Sequence, residues 1–364
     1  MRLHVYFARR FLVTFLTVLA VFGLMLVLLD MVDQVRRTGD RDVGFGGILA
    51  LTLLNIPAAL YRILPLVTIL ATVALFVSLA RSSELVIARA AGRSAIRALA
   101  GPVFVALLLG VIAVAVFNPI VAATQARYER LLSSVGGGEG SILSVSSEGL
   151  WLRQGGESGQ TVIRAARANR DGTALYDVTF LGFDPDGGPA YRVEADSARL
   201  VPGAWEIEGA KEWRFDAVNP ERESFEAGRM SLASNLTRNQ ILDSFGDPSA
   251  IPVWELPAFI ARLERAGFAA SAHRVWYNME LSTPVLLVAM VLIGAGFTMR
   301  HARFGRTGVM VLSALLVGFT LYFVRNFAAI LGENGQIPVL VAAWAPPVAA
   351  VLLPLGLLLH LEDG

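Results

Sequence analysis

Four arginines lie in or beside long apolar segments, where a guanidinium group is costly and usually functional. They are Arg36 and Arg37 after the first segment, Arg62 early in the second, and Arg325 late in the fifth. Guanidinium groups bind phosphate through paired hydrogen bonds. We expect all four at one membrane depth, which predicts recognition of an anionic lipid; for any one arginine, snorkelling to bulk headgroups is the alternative.

A second group of candidate residues follows the second apolar segment, between Arg81 and Gly92. Serines at its start, an early carboxylate and a glycine stop predict a short helix. Such a helix, with one acid and exposed apolar side chains, is suited to docking in a groove of a cytoplasmic partner. The candidate docking residues are Ser83, Glu84, Leu85 and Arg89. An ordinary basic loop explains the same residues equally well.

No motif for catalysis or nucleotide binding is present in the sequence. A P-loop needs a lysine followed by serine or threonine, whereas the single lysine, Lys211, precedes Glu212. The chain has no cysteine, and its four histidines are far apart, so we expect no metal site. Glu280 and Asn278 look like isolated polar groups, which disfavours a membrane-embedded enzyme. We therefore expect no catalytic residues and no cofactor, with any ATP bound by a partner.

The elements that position these residues are six apolar segments, three on each side of an insert. Each has about the twenty residues that an α-helix needs to cross a bilayer. The segments are 11–29, 57–79, 98–120, 275–297, 308–331 and 337–359. We predict three spans and the docking helix (about 82–92) within residues 1–135, and three further spans within residues 251–364.

Loop charges predict the orientation of these spans, because basic residues concentrate in cytoplasmic loops. Arginines cluster in loop 81–97 and loop 300–306, and others precede the first span. Both termini are therefore expected in the cytoplasm and the insert on the opposite side, which is the periplasm if the membrane is a bacterial inner membrane. The net charge of +1 gives no reason to expect a nucleic-acid partner.

The insert, residues 136–250, changes from long apolar runs to two-residue alternation. Tyr176, Val178 and Phe180, for example, alternate with Asp177 and Thr179. Short alternating strands separated by turn residues predict an antiparallel sandwich or jelly roll. Its edge strands are suited to pairing with another protein, although a domain needed only for stability is the alternative.

An amphipathic helix is predicted after the insert, within residues 252–270. Its apolar stripe includes Trp254, Leu256, Ile260 and Leu263, with charged residues opposite. We expect this helix to lie on the outer membrane surface and to lead into the fourth span.

Several stretches resemble the lipopolysaccharide-export permease family (LptF/LptG, or YjgP/YjgQ). They are residues 31–37, residues 83–86 with 90–92, and the three-plus-three layout around a β-insert. Stretches 253–257 and 342–347 look more like the G-type members of the family. The resemblance covers essentially the whole chain.

The resemblance implies six helices, a periplasmic β-jelly roll and a role in an ABC transporter. An LptF-like and an LptG-like permease would pair with an LptB-like ATPase dimer, extract lipopolysaccharide, and pass it to LptC-like and LptA-like proteins. Glu84 would belong to the helix that docks on the ATPase. Arg36 and Arg37 occupy positions where known members carry lysines, and Asp30 replaces a further lysine of some members. The family's lateral gate uses spans one and five, and span five carries Arg325.

Two other classes of membrane protein remain open. A lipoprotein-extracting permease is mechanically similar, but that class usually has four spans. A non-transporting scaffold that displays a β-domain for envelope assembly would tolerate changes at Glu84.

Overall fold

The computed structural model describes residues 2–38, 44–84, 95–136, 143–146, 149–156, 159–169, 171–243, 247–299 and 307–363. The chain divides into two compact units. A helical unit comprises residues 1–135, 249–254 and 271–364, and a β unit comprises residues 136–248 and 255–270.

The described helices confirm six membrane-length spans. The α-helices of the described residues are α1 (Arg2–Thr38), α2 (Phe45–Arg81), α3 (Ala95–Ile112), α4 (Asn118–Gly136), α5 (Arg238–Asp243), α6 (Leu256–Arg265), α7 (Ser271–Thr298), α8 (Thr307–Glu333) and α9 (Val339–Asp363). Helices α5 and α6 are too short to be spans. A π-helical turn, Ala113–Phe117, joins α3 to α4, and these three elements together make the third span. Three spans precede the β insert and three follow it, as predicted.

Helix α7 has the largest share of buried residues among the spans of the helical unit, whereas α1 and α8 have the smallest. Helix α1 contacts its neighbours through one stripe, in which Phe7, Phe11 and Phe15 recur every four residues and are buried. The opposite side of α1 leaves residues such as Leu24 and Leu28 exposed. An apolar surface of this kind is stable only in lipid or against another protein.

Glycines allow two of the closest approaches between the described helices. A Cβ atom on Gly110 of α3 would lie 2.4 Å from the Cα atom of Pro284 of α7. A Cβ atom on Gly101 would lie 2.5 Å from the carbonyl oxygen of His4 of α1. Small residues at such crossings are typical of membrane helices, which associate largely by close packing.

The β unit contains seven antiparallel strands joined in chain order. They are β1 (Leu143–Ser146), β2 (Gly149–Gly156), β3 (Gly159–Ala168), β4 (Ala174–Phe183), β5 (Pro189–Val201), β6 (Ala204–Arg214) and β7 (Phe225–Ala233). Consecutive strands pair with one another, which makes one continuous sheet with β1 and β7 at its edges. The inserted antiparallel β-domain is therefore confirmed. Within it, the alternation at Val178, Phe180, Trp205 and Ile207 buries one face of the sheet.

Tyr176 departs from the predicted alternation. It is 42% exposed, whereas Val178 and Phe180 are buried. Asp177 lies between Tyr176 and Val178 with a left-handed φ of 53°. At this level of the sheet the buried residues of β4, Leu175 and Val178, are three positions apart instead of two. Tyr176 therefore points to the outer face, where the Arg167 guanidinium lies 5.8 Å from its ring centroid.

Helix α6 lies in the segment for which the sequence predicts a membrane-surface helix, and its contact with a membrane surface stays a prediction. Its apolar residues Leu256, Ile260 and Leu263 are buried, and the helix belongs to the β unit. The Ala168 backbone N–H of β3 donates to the Ala266 carbonyl oxygen at 2.9 Å, directly after α6. The periodicity predicted an apolar face correctly but could not specify what covers that face.

Candidate coupling and lipid-binding sites

Glu84 is held by residues from two helices. Its carboxylate accepts hydrogen bonds from Nη1 of Arg10 at 2.7 and 2.9 Å, from the Tyr6 hydroxyl at 3.0 Å and from the Ser82 hydroxyl at 2.9 Å. Arg10 also donates from Nη2 to Ser78 Oγ at 3.1 Å. These five residues, the Glu84 cluster, join the first turns of α1 to the end of α2.

A strained turn presents Glu84 to this cluster. Ser82 ends α2, with its N–H donating to the Ser78 carbonyl at 3.0 Å. Ser83 follows with a φ of 59°, a left-handed conformation that glycine usually adopts after a helix. Of the predicted docking residues, Ser83 is exposed and Glu84 is half-buried. Leu85 and Arg89 lie outside the described residues, as does the rest of the predicted docking helix up to Gly92.

The Arg10 guanidinium holds the pKa of Glu84 below its usual range through hydrogen bonds to the carboxylate. Bonds from Ser82 and Tyr6 lower it further, while partial burial opposes them. Because the folded-state pKa is lowered, the stabilisation from this cluster is present at neutral pH. It is lost as the pH falls through the lowered pKa.

The last turn of α1 carries two of the predicted lipid-binding arginines. Arg36 and Arg37 are both exposed, and Nη2 of Arg37 lies 3.5 Å from the Asp33 carboxylate. Both side chains therefore remain accessible to an anion, since an exposed ion pair of this kind contributes only about 0–1 kcal/mol.

Asp30, which replaces a lysine of some family members, has structural partners instead. The Asn55 amide of α2 donates to its carboxylate at 2.6 Å, and the Gln34 amide does so at 3.5 Å. Gln34 in turn donates to the Tyr128 hydroxyl of α4 at 3.1 Å. Asp30 therefore joins α1 to α2 and does not supply a cation for lipid binding.

Arg62 lines a cavity of about 250 Å³ between α2, α7 and α8. The other walls are mainly apolar and include Ile69, Met290, Phe319 and Tyr322. This α2–α8 cavity is smaller than the roughly 300–1,000 Å³ that accommodates a drug-sized molecule. It is therefore suited to part of an acyl chain, with one cation at its wall.

Arg325, the fourth predicted arginine, lies in a different environment. Its Nη2 donates to the Met279 carbonyl oxygen of α7 at 3.2 Å. Its Nε is buried and has no hydrogen-bond partner among the described residues. Arg325 is therefore enclosed against α7, whereas Arg36, Arg37 and Arg62 are exposed.

Glu280 is not the isolated polar group that the sequence suggested. It is buried, and it accepts a hydrogen bond from the Tyr61 hydroxyl of α2. Asn118 lies within hydrogen-bonding reach of both groups, and the charge of Arg325 interacts with the Glu280 carboxylate. Tyr61, Asn118, Glu280 and Arg325, the Glu280 cluster, bring together residues from four helices of the helical unit.

A π-helical turn accounts for the position of Asn118. This turn, Ala113–Phe117, ends directly before Asn118, and the Ala115 carbonyl oxygen accepts a hydrogen bond from the Trp254 indole at 3.2 Å. The Val253 N–H donates to Asn118 Oδ1 at 2.9 Å. Single π-helical turns are frequent at functional sites, and the only members of this cluster that the sequence singled out were Glu280 and Arg325, without any sign that they meet.

The fold and these sites define the class of protein: a polytopic membrane protein with an inserted antiparallel β-domain, an arginine-lined apolar cavity and a charged turn after its second span. The model of the family described as lipopolysaccharide export system permease LptF/LptG matches residues 5–360. The chain therefore belongs to this permease family.

The relatives of this chain include proteins named lipopolysaccharide export system permease protein LptG. The protein of Escherichia coli (strain K12) is 23% identical over 341 residues, which cover 92% of this chain and 91% of that relative. The protein of Haemophilus influenzae is 24% identical over 364 residues, which cover 96% of this chain and 95% of that relative. The predicted resemblance to the family, and to its G-type members, is confirmed.

Proposed function

We propose that this chain is the transmembrane subunit of an ABC transporter that extracts lipopolysaccharide from the inner membrane and passes it toward the outer membrane. The observation that carries the proposal is the α2–α8 cavity, which combines an apolar interior with a cation at Arg62. An amphiphile with acyl chains and phosphates requires both features. Membership of the lipopolysaccharide export system permease family supports export of this lipid.

The lipid phosphates would be bound by the exposed arginines. Arg36 and Arg37 end α1, and Arg62 lines the cavity, so these three guanidinium groups remain available to an anion. We assign Arg325 a weaker role in lipid contact, because its guanidinium already donates to the Met279 carbonyl. Its position on the fifth span still makes it relevant to any movement of α8.

Energy for extraction would come from a partner. We propose that an LptB-like ATPase dimer binds the ATP and docks on the segment that includes Ser83, Glu84, Leu85 and Arg89. An LptF-like permease would complete the membrane part, and the chain itself would need no cofactor. The exposed apolar surfaces of α1 and α8 suit contact with lipid or with such a second permease.

The proposed orientation places Glu84 in the cytoplasm and Arg36 near the outer leaflet. Arg10, which contacts Glu84, precedes Arg36 by 26 residues in one continuous helix. This separation corresponds to about 39 Å along the helix axis. A bilayer with its headgroups is about 40–45 Å thick. The β insert would then lie in the periplasm, where its edge strands would meet LptC-like and LptA-like proteins.

Co-purification tests the assignment of class. The tagged chain is extracted in a mild detergent that preserves known ABC complexes, and bound proteins and lipids are identified by mass spectrometry. An ABC-type ATPase, a second six-span relative and lipopolysaccharide are expected. Recovery of the chain alone, or with outer-membrane assembly factors, would favour the scaffold instead.

Charge reversal tests the lipid-binding arginines. Arg36→Glu with Arg37→Glu should abolish the stimulation of ATP hydrolysis by lipopolysaccharide and lower photocrosslinking of the lipid. Arg127→Glu is the matched control, because Arg127 is an exposed arginine of α4 that is not among the proposed phosphate contacts. Equal stimulation and crosslinking in wild type and the double variant would exclude the phosphate contact.

A further inference from the structure

The Glu84 carboxylate has no vacant hydrogen-bonding position in this structure. Oε1 accepts from Arg10 and Ser82, and Oε2 accepts from Arg10 and Tyr6, at distances of 2.7 to 3.0 Å. An ionised carboxylate offers about four lone-pair sites, and all of them are used here. A cationic donor from another protein therefore cannot bind Glu84 unless one of these bonds breaks.

The same carboxylate is nevertheless within reach of a partner. The side chains of Glu84 and Arg10 are 32% and 30% exposed. An ion pair with this much exposure contributes only about 0–1 kcal/mol, so an incoming donor can displace it. The left-handed Ser83 beside Glu84 adds strain to the turn.

We propose that Arg10 is a positioning residue that competes with the ATPase partner for Glu84. Docking of a cationic group on Glu84 then releases Arg10, and with it the first turns of α1, from the end of α2. The inference rests on the proposed docking role of Glu84. Because linkage is reciprocal, any change in α1 that strengthens the Arg10–Glu84 pair weakens docking by the same factor.

Helix α1 is suited to transmit this exchange across the membrane. It is a single helix of 37 residues without proline, whereas α2, α3, α7 and α9 each contain at least one. Proline is the commonest cause of a helix kink. The proposed lipid contacts, Arg36 and Arg37, lie in the last turn of the same helix. Docking at one end of α1 and lipid binding at the other would therefore act on one continuous element.

A binding measurement with the full complex tests the competition. The affinity of the purified ATPase subunit for the full-length permease pair, reconstituted in nanodiscs, is measured for wild type, Arg10→Met, Arg9→Met and Glu84→Lys. Arg10→Met should bind the ATPase roughly two- to fivefold more tightly, the scale of an exposed ion pair. Arg9→Met is the matched control, since Arg9 is the exposed neighbour on the same helix, and should bind as wild type does.

A double-mutant cycle shows whether the effect acts through Glu84. In a Glu84→Gln background, Arg10→Met should no longer change the affinity, because the charged competitor has lost its target. Tyr6→Phe removes one of the four hydrogen bonds and should tighten docking less than Arg10→Met does. If Arg10→Met raised the affinity for the ATPase equally in the Glu84→Gln background, the inference would be overturned.

The stimulation of ATP hydrolysis by lipopolysaccharide tests whether α1 couples the two sites. In Arg10→Met, the ATPase should remain bound while the stimulation of ATP hydrolysis by lipopolysaccharide is lost. If Glu84→Lys binds the ATPase as wild type does, the docking role fails and the competition fails with it. If Glu84→Lys abolishes binding while Arg10→Met matches Arg9→Met in affinity and stimulation, only the competition is wrong.

Discussion

Tyr61 of α2 donates its hydroxyl hydrogen to the Glu280 carboxylate of α7, across 219 positions of sequence. This bond is part of the Glu280 cluster, which also includes Asn118 and Arg325. The Tyr61 ring stacks on Phe117 with ring centroids 6.1 Å apart. The cluster therefore fixes α2 against α7 and the π-helical turn at the level where Arg62, next to Tyr61, lines the α2–α8 cavity.

Removal of the Glu280 carboxylate should destabilise the helical unit. Glu280→Leu leaves the Tyr61 hydroxyl without its acceptor and Arg325 without a neighbouring negative charge, at a cost of about 1–3 kcal/mol for the buried polar group. Thermal unfolding in detergent should show a lower midpoint than wild type. Glu129→Leu, at an exposed position of α4, serves as the control.

A second substitution, at Tyr61, shows how much of the loss of stability in Glu280→Leu comes from the Tyr61–Glu280 hydrogen bond. Glu280→Leu combined with Tyr61→Phe should recover part of the loss, since replacing both partners of a buried hydrogen bond is close to neutral. If the double variant is no more stable than Glu280→Leu alone, the Tyr61 bond contributes nothing measurable.

The spans and the β insert were predictable because each depends on a local pattern: apolar length for the helices and alternation for the strands. The Glu280 cluster was not predictable, because Tyr61, Asn118, Glu280 and Arg325 come from separate helices. Their meeting depends on tertiary packing. The same limit applies to Arg10. The sequence showed it only as one of the basic residues that precede the first span, whereas in the fold its guanidinium donates to the Glu84 carboxylate.

In two segments, β4 and α6, the periodicity of the sequence alone did not determine the surroundings of each side chain. Beside the left-handed Asp177 the alternation of β4 changes phase, and Tyr176 lies on the outer face of the sheet. Helix α6 has the periodicity of a membrane-surface helix, yet Leu256, Ile260 and Leu263 are buried in the β unit. Periodicity reports that a face is covered, but tertiary structure decides what covers it.

Filling the α2–α8 cavity should block lipid binding there. A Cβ atom on Gly318 would lie 2.8 Å from Cδ1 of Ile69, the mobile end of a side chain. Gly318→Leu should therefore occupy the cavity at a cost of about 1–3 kcal/mol. Photocrosslinking of lipopolysaccharide to a probe placed at Phe319, another wall residue, should fall to background.

The matched control for the cavity is Gly356→Leu. Gly356 lies on α9, and a Cβ atom there would meet no atom within 4 Å. This variant should crosslink the lipid as the wild type does. Equal crosslinking in Gly318→Leu and Gly356→Leu would mean that the lipid does not enter the α2–α8 cavity.

Shortening Leu263 should loosen the β unit. This side chain of α6 is only 1% exposed, and truncation of a buried leucine to alanine costs about 2–5 kcal/mol. Leu263→Ala should therefore raise amide hydrogen exchange in the strands of the β unit, measured by mass spectrometry on the full chain. Pro257→Ala, at an exposed position of α6, should leave exchange unchanged. Normal strand exchange with weaker binding to vesicles would instead favour the predicted contact of α6 with the membrane surface.

The turn at Ser83 should respond to side-chain shape in a predictable order. A left-handed conformation costs an L-residue roughly 1–2 kcal/mol and glycine almost nothing, whereas a β-branched residue is least tolerant. Because Ser83 has a φ of 59°, Ser83→Gly should keep or raise the thermal midpoint of the purified chain, and Ser83→Val should lower it. The same pair at Ser82, whose φ is −81°, should not show this order. A valine tolerated as well as glycine at position 83 would mean that the left-handed turn is not maintained in solution, and the geometry that holds Glu84 against Arg10 would fail with it.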